Sequence, residues 1–164
     1  MNLNQIEMVS DAPIDLGEMI KLGHDVASGA LVLFSGEVRN HNEGRGVVYL
    51  EYEAHKSMAE KSIREIIADA KERWPLNFAL CVHRVGPVQL TECAVVVITS
   101  SVHRGEAYAA NRYIIDRVKY EAPIWKREFF TDGTSKWGRN CEHPPGEHAH
   151  DHGHSHDHAH GDSG

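Results

Sequence analysis

Apolar residues along the chain change rhythm several times, and each change marks an element. Ala107, Ala110, Asn111, Ile114, Ile115 and Val118 recur at the i, i+3, i+4, i+7 spacing of a helix with one buried face. Pro123 disfavours helical geometry for the residue before it, so this helix is expected to stop near Glu121 or Ala122. Ile63, Ile66, Ile67, Ala70 and Trp74 form a second helical stripe, opened by a Ser57-x-x-Glu60 capping box and followed by Pro75. Asp15 is placed to cap a third helix running to about Ala27, which Ser28-Gly29 ends. Segments 5–9, 30–39, 47–54, 78–85, 93–100 and 124–130 are rich in strand formers. Residues 93–100, nearly all apolar, read as a strand buried on both faces. Segments 30–39 and 47–54 read as one hairpin whose tip, 40–46, is a long polar loop. In the last strand Ile124, Lys126 and Glu128 fall on one side and Trp125, Arg127 and Phe129 on the other. The order β-α-β-β-α-β-β-α-β predicts an α+β fold, with helices packed on a mainly antiparallel sheet.

Composition refines this picture at the carboxyl end. The 164 residues carry 41% hydrophobic and 25% charged side chains, enough for one domain with a real core. From Glu142 onward the chain holds eight of its thirteen histidines, almost every second residue, among Asp, Gly and Ala. Such a segment cannot build a core, so the expectation is a domain over 1–140 and a disordered His-rich tail over 141–164. The formal charge of -7 is also uneven, because five of the 24 acidic residues lie beyond Cys141 with no lysine or arginine among them. Setting those five aside leaves 19 acidic residues against 17 basic ones. That near-neutral body lacks the basic excess of a general nucleic-acid binder. No apolar run reaches eighteen residues, and the amino terminus lacks the basic flank and apolar core of a secretory signal. The three cysteines, Cys81, Cys93 and Cys141, form no CxxC and read as reduced thiols of a cytoplasmic protein.

Candidate chemistry gathers in four places. Arg39 stands where a strand runs into a polar loop, within Gly36-Glu37-Val38-Arg39-Asn40-His41-Asn42. His103-Arg104 precedes the last helix, where free N–H groups favour an anion and a bare cation pair is slightly disfavoured. Lys119 ends that helix, and Lys126-Arg127 follows the proline bend, so two ammonium groups can meet over one pocket. Lysines at helix ends are ordinarily solvated, and Arg104 could equally pair with Glu106. No GxSxG, Walker loop, GxGxxG or HExxH is present. A site of Arg39, His103, Arg104, Lys119 and Lys126 would suit a phosphate-bearing substrate, with lysines available for acid/base or carbonyl chemistry.

The chain resembles the catalytic subunits of molybdopterin synthases. The resemblance is carried by FSGEVRNHN (34–42), EKSIREI with RWPL after it (60–76), HRVG (83–86), TSSVHR (99–104) and KYEAPIWKRE (119–128). It implies an α/β hammerhead-type domain joined to a further antiparallel sheet. It implies transfer of two sulfurs to cyclic pyranopterin monophosphate, forming the dithiolene of molybdopterin. The sulfurs would come from the Gly-Gly thiocarboxylate of a small ubiquitin-like carrier subunit, on a homodimer that becomes a heterotetramer with two carriers. It places the functional lysines on Lys119 and Lys126. Substrate contacts fall on Glu37, Val38, Arg39, His103, Arg104, Lys119, Lys126, Arg127 and Glu128, and Arg139 becomes the candidate to reach a neighbouring protomer. No cofactor is required by it, and neither nucleic acid nor membrane is a partner. Whether each lysine acts as acid/base, neutralises the thiocarboxylate or bonds transiently to substrate or carrier stays open.

Two other readings stand beside this one. The body could be a binding module that holds an anionic pterin or the carrier without chemistry; a degenerate relative would be expected to have lost one of the two lysines. The tail lies outside the family pattern. A metal-storage or metal-delivery protein is the reading that makes the tail the function: its alternating imidazoles, His148, His150, His152, His154, His156, His158 and His160, suit Zn, Ni, Co or Cu, although such a site would be accessory to the body.

Overall fold

The computed structural model describes residues 6–140. Among these residues the fold is α+β, with two sheets and three helices. The first sheet runs in the order β1 (Val9–Ser10), β5 (Leu76–Arg84), β7 (Cys93–Ser101), β2 (Ala30–Glu37). Only β1 runs parallel to its neighbour in it. Every residue of β7 is buried because both faces are covered. On one face lies α3 (Arg104–Glu121), where Asn111 Nδ2 donates to the Val97 carbonyl at 3.0 Å and Thr99 Oγ1 donates to the Ala107 carbonyl at 2.7 Å. Ile98, between them in sequence, points to the other face. There α1 (Leu16–Gly23) approaches so closely that a Cβ on Gly23 would lie 2.6 Å from Ile98 Cγ2. The third helix, α2 (Lys56–Arg73), packs on α3 and β5 through Ala59, Ile63, Ile66, Ile67 and Ala70.

The second sheet has the order β3 (His41–Asn42), β4 (Arg45–Ala54), β8 (Ile124–Phe130), β9 (Ser135–Arg139), with β6 (Gly86–Gln89) on the other side of β4. The expected hairpin between 30–39 and 47–54 is not formed. β2 pairs with β7, and β4 pairs with β8, so the two segments lie in different sheets. Val38 makes the crossing: its side chain is buried, its N–H donates to Glu92 and its carbonyl accepts from Thr91. The expected polar loop 40–46 is a tight turn at Glu43-Gly44, both at positive φ, the signature of a two-residue hairpin. Gly86, at φ +80, swings the chain from the first sheet into the second, and no Cβ is within its reach of a clash.

Helix ends differ from expectation at two places. Asp15 does cap α1, accepting from Glu18 N at 3.1 Å, but the helix ends at Gly23 rather than near Ala27. The Ser57–Glu60 capping box is absent, because α2 begins at Lys56 with His55 as its N-cap, and Glu60 instead accepts from Val9 N at 3.4 Å. The first strand is Val9–Ser10, later than the expected 5–9. The helix preceding Pro123 stops at Glu121, with Ala122 in extended geometry, as the proline requires.

Candidate active site

Where β2 leaves the first sheet, the end of α3 and the inner face of the second sheet enclose a cleft of about 400 Å³. Three cations line it: Arg39 beyond β2, Lys119 in the last turn of α3, and Lys126 on β8. Glu37 and Glu128 oppose them, leaving one excess positive charge. The proline bend therefore does bring the two lysines to one cavity, one from the helix and one from the strand.

A buried carboxylate organises this group. Glu128 Oε1 accepts from Asn42 Nδ2 at 2.9 Å and stands 3.5 Å from Lys126 Nζ. Asn42 in turn accepts from Arg39 Nη2 at 3.0 Å, so one acid sets both cations, directly and through an amide. Strand alternation puts Lys126 and Glu128 on the same face, and the register Tyr52↔Lys126 places Tyr52 beside them. Burial, with the Glu128 carboxylate nearby, pushes the Tyr52 phenol up to about 12, so it enters the cleft as a neutral hydroxyl.

Several expected members of the site are not brought to this cleft within one chain. His103 and Arg104 begin α3, and fifteen residues of helix separate Arg104 from Lys119, roughly 22 Å at 1.5 Å per residue. Arg127 faces the opposite side of the sheet from Lys126. Its Nε donates to Ser135 Oγ at 3.0 Å, and its guanidinium lies over the Phe129 and Trp137 rings. Val38 is a core residue, and its main chain is committed in both directions. Arg139 is exposed on β9 and lines two smaller clefts, one shared with Lys119 and one with Arg39 and Lys126.

Sequence reasoning set Asn42 in a chemically loaded stretch without giving it a role, and missed Tyr52 and Asn140; all three line the cleft. Polar residues in a tight turn, a tyrosine in an alternating strand and an asparagine after an unrecognised strand carry little local signal. Cys81 and Cys93 are buried free thiols, both held above the ordinary thiol range by burial, and take no part in the cleft. Among the described residues no group of three or more His, Cys, Asp or Glu is arranged to hold a metal ion, and the tail histidines lie outside the described residues. No helix among the described residues is long and apolar enough to cross a membrane.

The two-sheet α+β fold sets a polar cleft, lined by three cations and two carboxylates, at the junction of its sheets. A family model described as MoaE protein matches residues 9–121, and the chain belongs to that family. It is 42% identical over 143 residues to the molybdopterin synthase catalytic subunit of Nostoc sp., covering 81% of this chain and 87% of that one. The X-ray structure of molybdopterin synthase from Staphylococcus aureus superposes with a TM-score of 0.75 at 40% identity, covering 80% of this chain and 95% of its counterpart. A Helicobacter pylori structure, a protein–protein complex of subunits 1 and 2 of molybdopterin-converting factor, shares the fold with a TM-score of 0.65 at 19% identity, over 86% and 97% of the two chains.

Proposed function

We propose that this chain is the catalytic subunit of a molybdopterin synthase in molybdenum cofactor biosynthesis. It transfers two sulfurs to cyclic pyranopterin monophosphate, one from the thiocarboxylated Gly-Gly terminus of each of two small ubiquitin-like carrier molecules, which leave as carboxylates. The observation that carries the reading is the meeting of Arg39, Lys119 and Lys126 in one cleft, with Glu128 holding Lys126. Both reactants are anions, a phosphate ester and a thiocarboxylate, and bringing them together in water is opposed by their charge. A cleft with excess positive charge removes that repulsion and gains strength as the entering chain displaces water. Arg39, whose guanidinium is steered by Asn42, suits the phosphate, while Lys119 and Lys126 suit the thiocarboxylate and the proton movements that accompany its loss of sulfur. Glu128 acts by holding Lys126.

The proposed assembly is suggested by the expected site residues that one chain does not bring to the cleft. His103, Arg104 and Arg139 serve this substrate if a second copy of the chain presents them across a homodimer interface, each protomer also carrying one carrier subunit. Light scattering of the chain mixed with its carrier should give equal numbers of each in a four-chain complex; a one-to-one complex without self-association would contradict it. The buried reduced thiols are in keeping with a cytoplasmic setting. The histidine tail is proposed as an accessory site for Zn, Ni, Co or Cu, on the strength of seven imidazoles between His148 and His160. Incubating the protein with thiocarboxylated carrier and cyclic precursor tests the main reading. A dithiolene product is expected, and its absence with both partners intact would favour the binding-module alternative.

A further inference from the structure

Behind Lys119 lies a pair of residues that this chemistry does not use. His83 is fully buried in β5, and both of its ring nitrogens are engaged. Nδ1 stands 2.8 Å from the carbonyl oxygen of Arg84, which can only accept, so Nδ1 carries the proton. Nε2 is therefore a lone pair, and Asn140 Nδ2 donates to it at 2.9 Å. Burial, reinforced by the Lys119 cation and partly opposed by the bond to Arg84, pulls the imidazole down to about 4. The ring thus stays neutral near pH 7, and this tautomer persists. Its edge also meets the Tyr52 ring, centroids 5.0 Å apart, and Tyr52 lines the cleft.

Asn140 follows β9 directly and is itself buried. It lines the cleft of Lys119 and Lys126, a neighbouring cleft of about 200 Å³ shared by Lys119 and Arg139, and another of about 250 Å³ shared by Arg39, Lys126 and Arg139. Among the described residues it is the one common to all three clefts. Asn140 therefore stands where the three clefts adjoin, a partition between them whose amide is turned by its bond to His83. An apolar pair would fill the same space, but only a directed bond fixes the plane of the partition. The acceptor must also be neutral, because an imidazolium here would repel Lys119.

We propose that the His83–Asn140 pair positions Lys119: the buried imidazole anchors the Asn140 carboxamide, and the anchored carboxamide forms the wall that sets the lysine between the main cleft and its neighbour. Both are positioning residues, and neither touches the reacting atoms. The proposal rests on the molybdopterin synthase reading for what Lys119 accomplishes, but not for where Lys119 is held.

Two measurements separate those claims. Competitive acylation of the folded protein by a limiting anhydride, read by mass spectrometry, gives the labelling of Lys119 relative to Lys71, an exposed lysine on α2. His83→Leu and Asn140→Ala should change that ratio about threefold or more, while His83→Gln, whose amide oxygen can replace Nε2 as acceptor, should leave it near the original value. In the reconstituted reaction the first two variants should lose about tenfold in kcat with the precursor KM unchanged, and His83→Gln should restore most of the rate. Should His83→Leu fail to fold, Asn140→Ala, at the end of the last strand, carries the same expectation. Lys119 labelling unchanged in folded Asn140→Ala would overturn the proposal, as would His83→Gln behaving like His83→Leu. If the labelling pattern holds but the wild-type protein transfers no sulfur, the positioning stands and the functional reading falls.

Discussion

Replacing Glu128 by Gln removes one charge from the cleft while keeping an amide oxygen where Asn42 Nδ2 now donates. The change therefore isolates the hold on Lys126. At 3.5 Å, with the Lys126 and Glu128 side chains 25% and 11% exposed, the pair is partly withdrawn from water. Coulomb attraction at that distance is about 5 kcal/mol for an effective dielectric near 20, and desolvation offsets much of it. Breaking a partly buried ion pair of this kind costs about 1.5–3 kcal/mol, between the roughly 1 kcal/mol or less of exposed pairs and the roughly 3–5 kcal/mol of fully buried ones. If that is what keeps Lys126 in the reactive orientation, kcat in Glu128→Gln should fall by about 10- to 100-fold. KM for the phosphate-bearing substrate should not rise, because the excess of cations over carboxylates grows from one to two. The assay is steady-state formation of dithiolene product with thiocarboxylated carrier in excess, circular dichroism confirming the fold. A several-fold rise in KM with kcat intact would refute the reasoning, since it would mean that Glu128 contacts the bound substrate rather than holding Lys126.

Three further outcomes follow from the fold and the tail. His83 is held down to about 4 in the folded state, against 6.5 ordinarily, so the unfolded chain binds the extra proton first and stability should fall as pH drops from about 6.5 towards 4. The loss approaches about 3 kcal/mol and should be missing from His83→Gln, which denaturant titrations at pH 7 and pH 4.5 would reveal. Gly23→Ala places a methyl 2.6 Å from Ile98 Cγ2 and 2.9 Å from Leu31 Cδ1, and should cost about 1–3 kcal/mol in the same titration. Truncation after Asn140 should abolish Zn and Ni uptake measured by calorimetry while leaving sulfur transfer nearly unchanged, and uptake by the full chain should fade below about pH 6 as imidazoles protonate.

Long periodic segments are legible in the sequence. The stripes Ile63 to Ala70 and Ala107 to Val118 are buried as their spacing required, and Pro123 ended its helix where expected. Pairing was not legible, because alternation tells which face a residue takes but not which strand lies beside it. Segments 30–37 and 45–54 are adjacent in sequence and separate in space, since Val38 is drawn into the core between them. Three short strands escaped notice although signals existed: Asn42 and Arg45 flank the Glu43-Gly44 turn after β3, Gly86 opens β6, and Asp132-Gly133, a common hairpin dipeptide, precedes β9. At the site, Lys119 and Lys126 could be brought together by reasoning on one bend. Arg127 could be assigned to the opposite face by the same alternation, yet the family pattern had grouped it with Lys126. Nothing local could place Asn140 against His83, 57 positions earlier, because only the folded sheet order joins them.

Lys119→Ala in the reconstituted reaction tests the central claim, that the cleft lysines carry the sulfur transfer, most directly. Lys119 is the last-turn lysine of α3 and lines the cleft, so truncation removes little core packing and the variant should fold. With carrier thiocarboxylate and cyclic precursor both supplied, single-turnover formation of the dithiolene should slow by about 10²- to 10³-fold or more. Dithiolene formed at the wild-type rate by a folded Lys119→Ala protein would contradict the account.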